Sequence, residues 1–198
     1  MSSKKPLSKK RGLSWWEKAG IPIIIIVLVW VAYSVMQGGG GSPVQTTTSV
    51  STVSSGSFAP DFTLPVVGTN GPTGGSITLS SLRGKVVLLE FMEPWCPHCQ
   101  ADAPILNQLH QKYPGLTIVS VAGPWSGASE NDVAQFEQSY GSNWVYLFDS
   151  SGSIMNMYGV TATPTFFVIN KDGSVATSLQ GQQDFGSLES AVVPYLQS

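Results

Sequence analysis

Only two cysteines occur in the 198 residues, and they stand three apart, as Cys96-Pro97-His98-Cys99. The run before them, Lys85 to Met92, is apolar on both alternating faces apart from Glu90. That pattern predicts a central strand covered on both sides. The run after them, Pro97 to Tyr113, carries Ile105, Leu106 and Leu109 at helical spacing, and Pro97 suits a first helical position. Cys96 is therefore expected at a helix N-terminus, where unpaired N–H groups and the macrodipole favour a thiolate. A Cys-x-x-Cys at such a junction reads as a redox dithiol. Two other readings stay open. The pair could be an inert disulfide, although so short a loop removes little unfolded-state entropy. It could hold zinc, but the chain offers only His98 and His110 besides, and zinc wants four ligands. No metal and no cofactor is expected.

Charge divides the chain. Residues 1–36 hold six Lys or Arg and one acid, a balance of +5; the rest holds four basic and eleven acidic residues, a balance of −7. The basic end precedes Ile21 to Met36, sixteen mostly apolar residues without a charge. As a helix they would reach about 24 Å. With Leu13, Trp15 and Trp16 nearby, that suffices to span a bilayer with the basic side in the cytoplasm. A cleaved signal peptide, cut after Ala32-Tyr33-Ser34, is the alternative. Either way the cysteines are expected outside the cytoplasm, where disulfides persist. The acidic remainder speaks against nucleic acid. The expected layout is 1–20 basic cytoplasmic N-terminus, 21–36 transmembrane anchor, 37–57 flexible Gly/Ser/Thr linker and 58–198 one domain.

Within 58–198, short edge strands are expected at Phe62–Leu64 and Ile77–Leu79, around a Gly/Pro-rich loop. Further strands are expected at Leu116–Ala122, Trp144–Phe148, Thr165–Ile169 and Val175–Gln180. Ser129 to Asp132 has capping-box character and opens a helix that Gly141 stops. A short helical turn at Ile154–Tyr158 and a last helix through Phe185, Leu188, Val192 and Leu196 complete an α/β sheet covered on both faces.

Four stretches carry a family resemblance: Ala59-Pro60-Asp61-Phe62-Thr63-Leu64, Leu79 to Leu89, Trp95 to Cys99 with Asp102-Ala103-Pro104, and Gly159-Val160 through Pro164 to Ile169. Together they resemble the TlpA/ResA-like group of membrane-tethered, thioredoxin-fold thiol–disulfide oxidoreductases. The resemblance implies a central mixed β-sheet flanked by helices, here behind a single N-terminal transmembrane helix. The Pro97-His98 dipeptide departs from the group and resembles the DsbA-type oxidases. Only 64 residues separate Cys99 from Pro164, however, too few for the large DsbA insertion. Peroxiredoxins share the opening segment, but Glu93 stands where their cysteine wants a Thr or Ser.

The resemblance assigns roles. Cys96 is the expected nucleophile and Cys99 the resolving thiol. Glu90 is the buried acid that takes the Cys99 proton, and His98 adds positive charge beside Cys96. Pro164 is expected cis, with Thr163 offering its backbone to an extended substrate and Trp95 an apolar contact surface. Glu93 is expected nearer the surface, His110 exposed, Met155 and Met157 in the core. The function implied is an extracytoplasmic exchange of disulfides with cysteine-containing exported proteins, supported by a membrane redox partner. Alternatives are a copper-delivery protein on the same fold and a thiol peroxidase. The direction of electron flow is expected to be oxidising relative to thioredoxin.

Overall fold

The central strand forms where the apolar run predicts it. In the computed structural model, which describes residues 53–125 and 127–197, every residue of Val86–Met92 is buried. Seven strands, β1 (Thr63–Gly68), β2 (Gly71–Thr78), β3 (Val86–Met92), β4 (Leu116–Ala122), β5 (Val145–Phe148), β6 (Thr165–Ile169) and β7 (Val175–Gln180), alternate with helices α1 (Pro97–Lys112), α2 (Glu130–Tyr140), α3 (Ser153–Met157) and α4 (Phe185–Leu196). The sheet order is β2-β1-β5-β4-β3-β6-β7. Strand β3 runs parallel to β4 and antiparallel to β6, so the sheet is mixed.

Strand parity sorts the core into two layers. Val86, Leu88 and Met92 join Cys99, Leu106 and Leu109 of α1, Val133 and Phe136 of α2, and Leu188 and Val192 of α4. Val87, Leu89 and Phe91 face the other way, onto Phe62, Ile154, Met155 and Tyr158. Each such fully buried side chain contributes about 1.5–3 kcal/mol relative to exposure. The capping box is present in both directions, Ser129 Oγ accepting from Asp132 N–H and Asp132 from the Ser129 backbone. Gly141 closes α2 in the left-handed region at φ 60°, which only glycine adopts without cost.

Three expectations change. The Gly/Pro-rich stretch is not a loop: Gly71–Thr78 is an edge strand paired antiparallel with β1. Backbone pairing, a Thr63–Thr78 hydroxyl contact of 2.7 Å and an edge position that tolerates proline outweigh its weak strand composition. The folded part also starts before residue 58. Val53 packs on the second core layer, and Gly56 N–H donates to Val175 O at 2.7 Å. His110 is half-buried, its ring edge-on to Trp144 with centroids 6.3 Å apart. The expected anchor at 21–36 lies outside the described residues. Among the described residues no helix is long and apolar enough to cross a membrane.

Candidate active site

Strand β3 ends at Met92, and four residues later the chain turns into α1. This places Cys96 at the N-cap and Pro97 at the first helical position. The capping group is the sulfur itself: Cys99 N–H donates to Cys96 Sγ at 3.3 Å. The Cys96 S–H in turn donates to Thr163 O at 3.4 Å. The Thr163–Pro164 peptide is cis, and Pro164 O accepts from Gly181 N–H at 2.8 Å. Both cysteines are free thiols. Cys96 is half-buried and Cys99 is 0 % exposed.

Behind Cys99 lie two carboxyl groups. Glu90 is 2 % exposed and meets Ser120 Oγ, which donates to its Oε2 at 2.5 Å. Trp144 Nε1–H donates to the same hydroxyl at 3.0 Å. Burial pushes the Glu90 carboxyl up to about 8; the Ser120 hydrogen bond opposes the shift and the Asp102 charge adds to it. Asp102 lies one helical turn beyond Cys99 and is 0 % exposed. Burial pushes it up to about 6, against the pull of Gln183 N–H and the positive end of His98. Burial first, then the Glu90 charge, drives the Cys99 thiol far above its ordinary range.

The sequence-predicted residues converge. Cys96, Cys99, Glu90, Thr163 and Pro164 gather where β3, α1 and β6 meet. His98 belongs to the same turn, but its Nδ1 is engaged with Gln182 Oε1 at 2.8 Å. Trp95 stands 52 % exposed beside Cys96, at a groove of about 190 Å³ lined by Pro94, Gln100, Phe136 and Tyr140. Glu93 departs from expectation. It is buried, its Oε1 accepting from Trp125 N–H at 3.3 Å. Met155 is in the core as expected, whereas Met157 is 43 % exposed.

Residue-level reading passed over Asp102 and its partner Gln183, whose N–H lies 3.3 Å from both carboxylate oxygens. The i+3 spacing from Cys99 is the signal that could have found Asp102, since such residues share a helix face.

Comparison with known proteins decides the family, because a family model matches residues 55–178, more than half of the chain. The chain belongs to the AhpC/TSA family. This AhpC/TSA member is 34% identical over 178 residues to the thiol-disulfide oxidoreductase ResA of Bacillus subtilis (strain 168), covering 88% of each chain. It is 35% identical over 120 residues to the ResA of Bacillus thuringiensis subsp. konkukian (strain 97-27). There it spans 66% of the relative's length, just under two thirds, and 59% of its own. Among solved structures, a Chlorobium tepidum protein assigned as the thiol:disulfide interchange protein DsbE superposes with a TM-score of 0.65 at 32% identity. That match covers 73% of this chain and 99% of the other. The fold is the thioredoxin fold, as the mixed sheet and flanking helices indicate.

Proposed function

We propose that this protein is a thiol–disulfide oxidoreductase working through Cys96 and Cys99 on cysteine-containing exported proteins. The observation that carries it is the asymmetry of the pair: Cys96 is reachable at a helix N-terminus with an N–H on its sulfur, and Cys99 is sealed directly behind. In the oxidising direction a substrate thiolate attacks Cys96 of the disulfide, and Cys99 leaves. A Cys99 thiolate is disfavoured by burial and by Glu90, so its departure needs a proton. Glu90, pushed up to about 8, is about nine-tenths protonated at pH 7 and supplies it. In the reducing direction Cys99 gives up that proton as it attacks the mixed disulfide at Cys96. The ionised form of Asp102, dominant at pH 7 with the group pushed up to about 6, is a ready acceptor there.

Thr163 contributes its carbonyl. It accepts the Cys96 S–H in the resting dithiol and becomes available to an extended substrate backbone once that sulfur bonds elsewhere. Trp95 presents the apolar face on which the substrate segment rests. His98, with Nδ1 tied to Gln182, stands as a polar group at the helix start.

We place the domain outside the cytoplasm, tethered by residues 21–36 and served by a membrane redox partner. Two observations support this reading. One is the +5 against −7 charge division around the apolar run. The other is the reach of the B. subtilis ResA alignment. Its 88% of the chain exceeds the 141 residues of 58–198, so it extends into the segment before residue 58.

The test is insulin reduction with dithiothreitol, together with trapping by Cys99→Ser in cells expressing exported cysteine proteins. Turnover and trapped adducts through Cys96 support the reading. Copper uptake or peroxide consumption without disulfide exchange would replace it.

A further inference from the structure

The charges of the folded part are polarised along the sheet. Its only Lys and Arg residues are Arg83, Lys85, Lys112 and Lys171. Arg83 and Lys85 lead into β3, Lys171 sits in the β6–β7 turn, and Lys112 ends α1. Cys96 lies at the opposite end of both β3 and α1. With 7 residues in β3 and 16 in α1, the separation is about 20 Å. The Cys96 end instead holds Glu93, Asp102, Asp149 and Asp184.

Three of the four cations line one groove of about 420 Å³: Lys85, Lys112 and Lys171, with Tyr113 and Leu196 beside them and no carboxylate in the lining. The neighbouring acids lie outside that lining, each held by donors of its own. Glu189 Oε1 accepts from Lys112 Nζ at 2.5 Å and from Tyr113 Oη at 2.6 Å. Asp172 accepts from Ser174 N–H at 2.8 Å, and Asp61 from Ser80 N–H at 2.8 Å. Arg83 Nη1 donates to Asp172 O at 2.8 Å and its guanidinium stands 5.7 Å from the Phe58 ring centroid.

The same end receives the chain from residues 1–52. Ala59 N–H donates to Gly173 O at 3.0 Å, and Phe58 bridges Ser174. The 52 preceding residues, with their uncharged apolar run, therefore join the domain beside its cations and away from its cysteines.

We propose that the Lys85–Lys112–Lys171 groove is a docking surface for the phosphate head groups of an anionic bilayer, the one to which the chain is tethered. The inference rests on the anchored reading given above. Lysines near an anionic lipid surface are attracted within about a Debye length. The rest of this domain is acidic and is repelled, so the groove turns toward the lipid and the Cys96 end turns away from it. A substrate then meets Cys96 from the aqueous side.

The test uses the full chain in nanodiscs of phosphatidylglycerol or of phosphatidylcholine, with amine acylation of Lys85 and Lys171 followed by mass spectrometry. A soluble lysine-containing peptide added to both samples normalises the reagent. Acylation of Lys85 and Lys171 is expected to be about fivefold slower in phosphatidylglycerol, the difference closing at about 0.5 M salt. Equal rates in the two lipids overturn the docking surface and leave the anchor standing. A chain that enters neither disc overturns both. Equal protection by inorganic phosphate in phosphatidylcholine discs assigns the groove to a soluble anion and overturns the lipid surface.

Discussion

Ser120 donates its hydroxyl hydrogen to Glu90 Oε2 at 2.5 Å across the paired strands β4 and β3, and both residues are buried. The hydroxyl stabilises whatever charge Glu90 carries, yet burial outweighs it and the group ends near 8. A carboxyl whose pKa is raised on folding favours the native state in its neutral form. That contribution is complete below the ordinary value of 4.5 and is lost as pH rises through about 8. The loss is on the order of 5 kcal/mol at most. Wild-type Tm is therefore expected to fall between pH 5 and 9, and Glu90→Gln to flatten the fall. Parallel Tm curves for the two proteins would refute this assignment of the pH dependence.

Release of a trapped partner should depend on both acids. Single-turnover resolution of the mixed disulfide is expected to quicken through pH 6 and again through pH 8. Asp102→Asn should remove the lower step and Glu90→Gln the upper, each slowing the reaction about 10²-fold or more where its step is lost. Because the two groups interact, the steps belong to the pair. Stopped-flow profiles that both substitutions leave unchanged would hand the proton to water.

Cys96 is half-buried and Cys99 fully buried. Iodoacetamide at neutral pH should label Cys96 at least tenfold faster, in keeping with the access dependence of thiol reactivity. Cys99→Ser should accumulate mixed disulfides, and Cys96→Ser should not. Faster labelling of Cys99 would reverse the assignment.

The reduction potential is expected to lie above the thioredoxin value of about −270 mV. The helix N-terminus and the Cys99 N–H favour negative charge on Cys96, while burial first and then the Glu90 charge oppose it on Cys99. His98→Pro removes the imidazole and its Gln182 bond, and should lower the potential by about 30 mV, a tenfold change in equilibrium. Equilibration with glutathione measures both. A wild-type value at or below thioredoxin would mark a reductase.

Gly123 is packed tightly against the end of the Met155 side chain. A Cβ there would collide with the Met155 sulfur and lie 3.2 Å from Glu93 Oε1. Met155 is 0 % exposed, so its thioether must shift within the core to make room. Gly123→Ala is expected to cost about 1–3 kcal/mol, read as a shift in urea midpoint, and to disturb the Glu93–Trp125 contact. An unchanged midpoint would mean that Met155 yields freely.

Periodicity and local chemistry made much of this legible in the sequence. Strand β3, the N-cap at Cys96 and the Ser129 box depend on neighbours within a few residues, and the structure has them where they were expected. Ile77 and Thr78 of the edge strand β2 were expected, but its first part, Gly71 to Gly75, escaped because its stability comes from backbone pairing with β1, which Gly-Pro-Thr-Gly-Gly does not announce. Glu93 and Asp102 escaped for a related reason. A carboxylate in a sequence reads as solvated, and only the approach of Trp125 and of Gln183, each distant along the chain, buries it. The contacts of His98 depend likewise on residue 182, which no spacing rule links to it.

The complete burial of Cys99 also makes one route of release private to the folded chain. No outside thiol can reach that sulfur, so its attack on a captured partner at Cys96 is an intramolecular collision whose rate does not depend on how much glutathione surrounds the complex. Outside thiols compete only by reaching the mixed disulfide at the half-buried Cys96, so the folded chain sets a floor under the release rate in dilute and in thiol-rich surroundings alike.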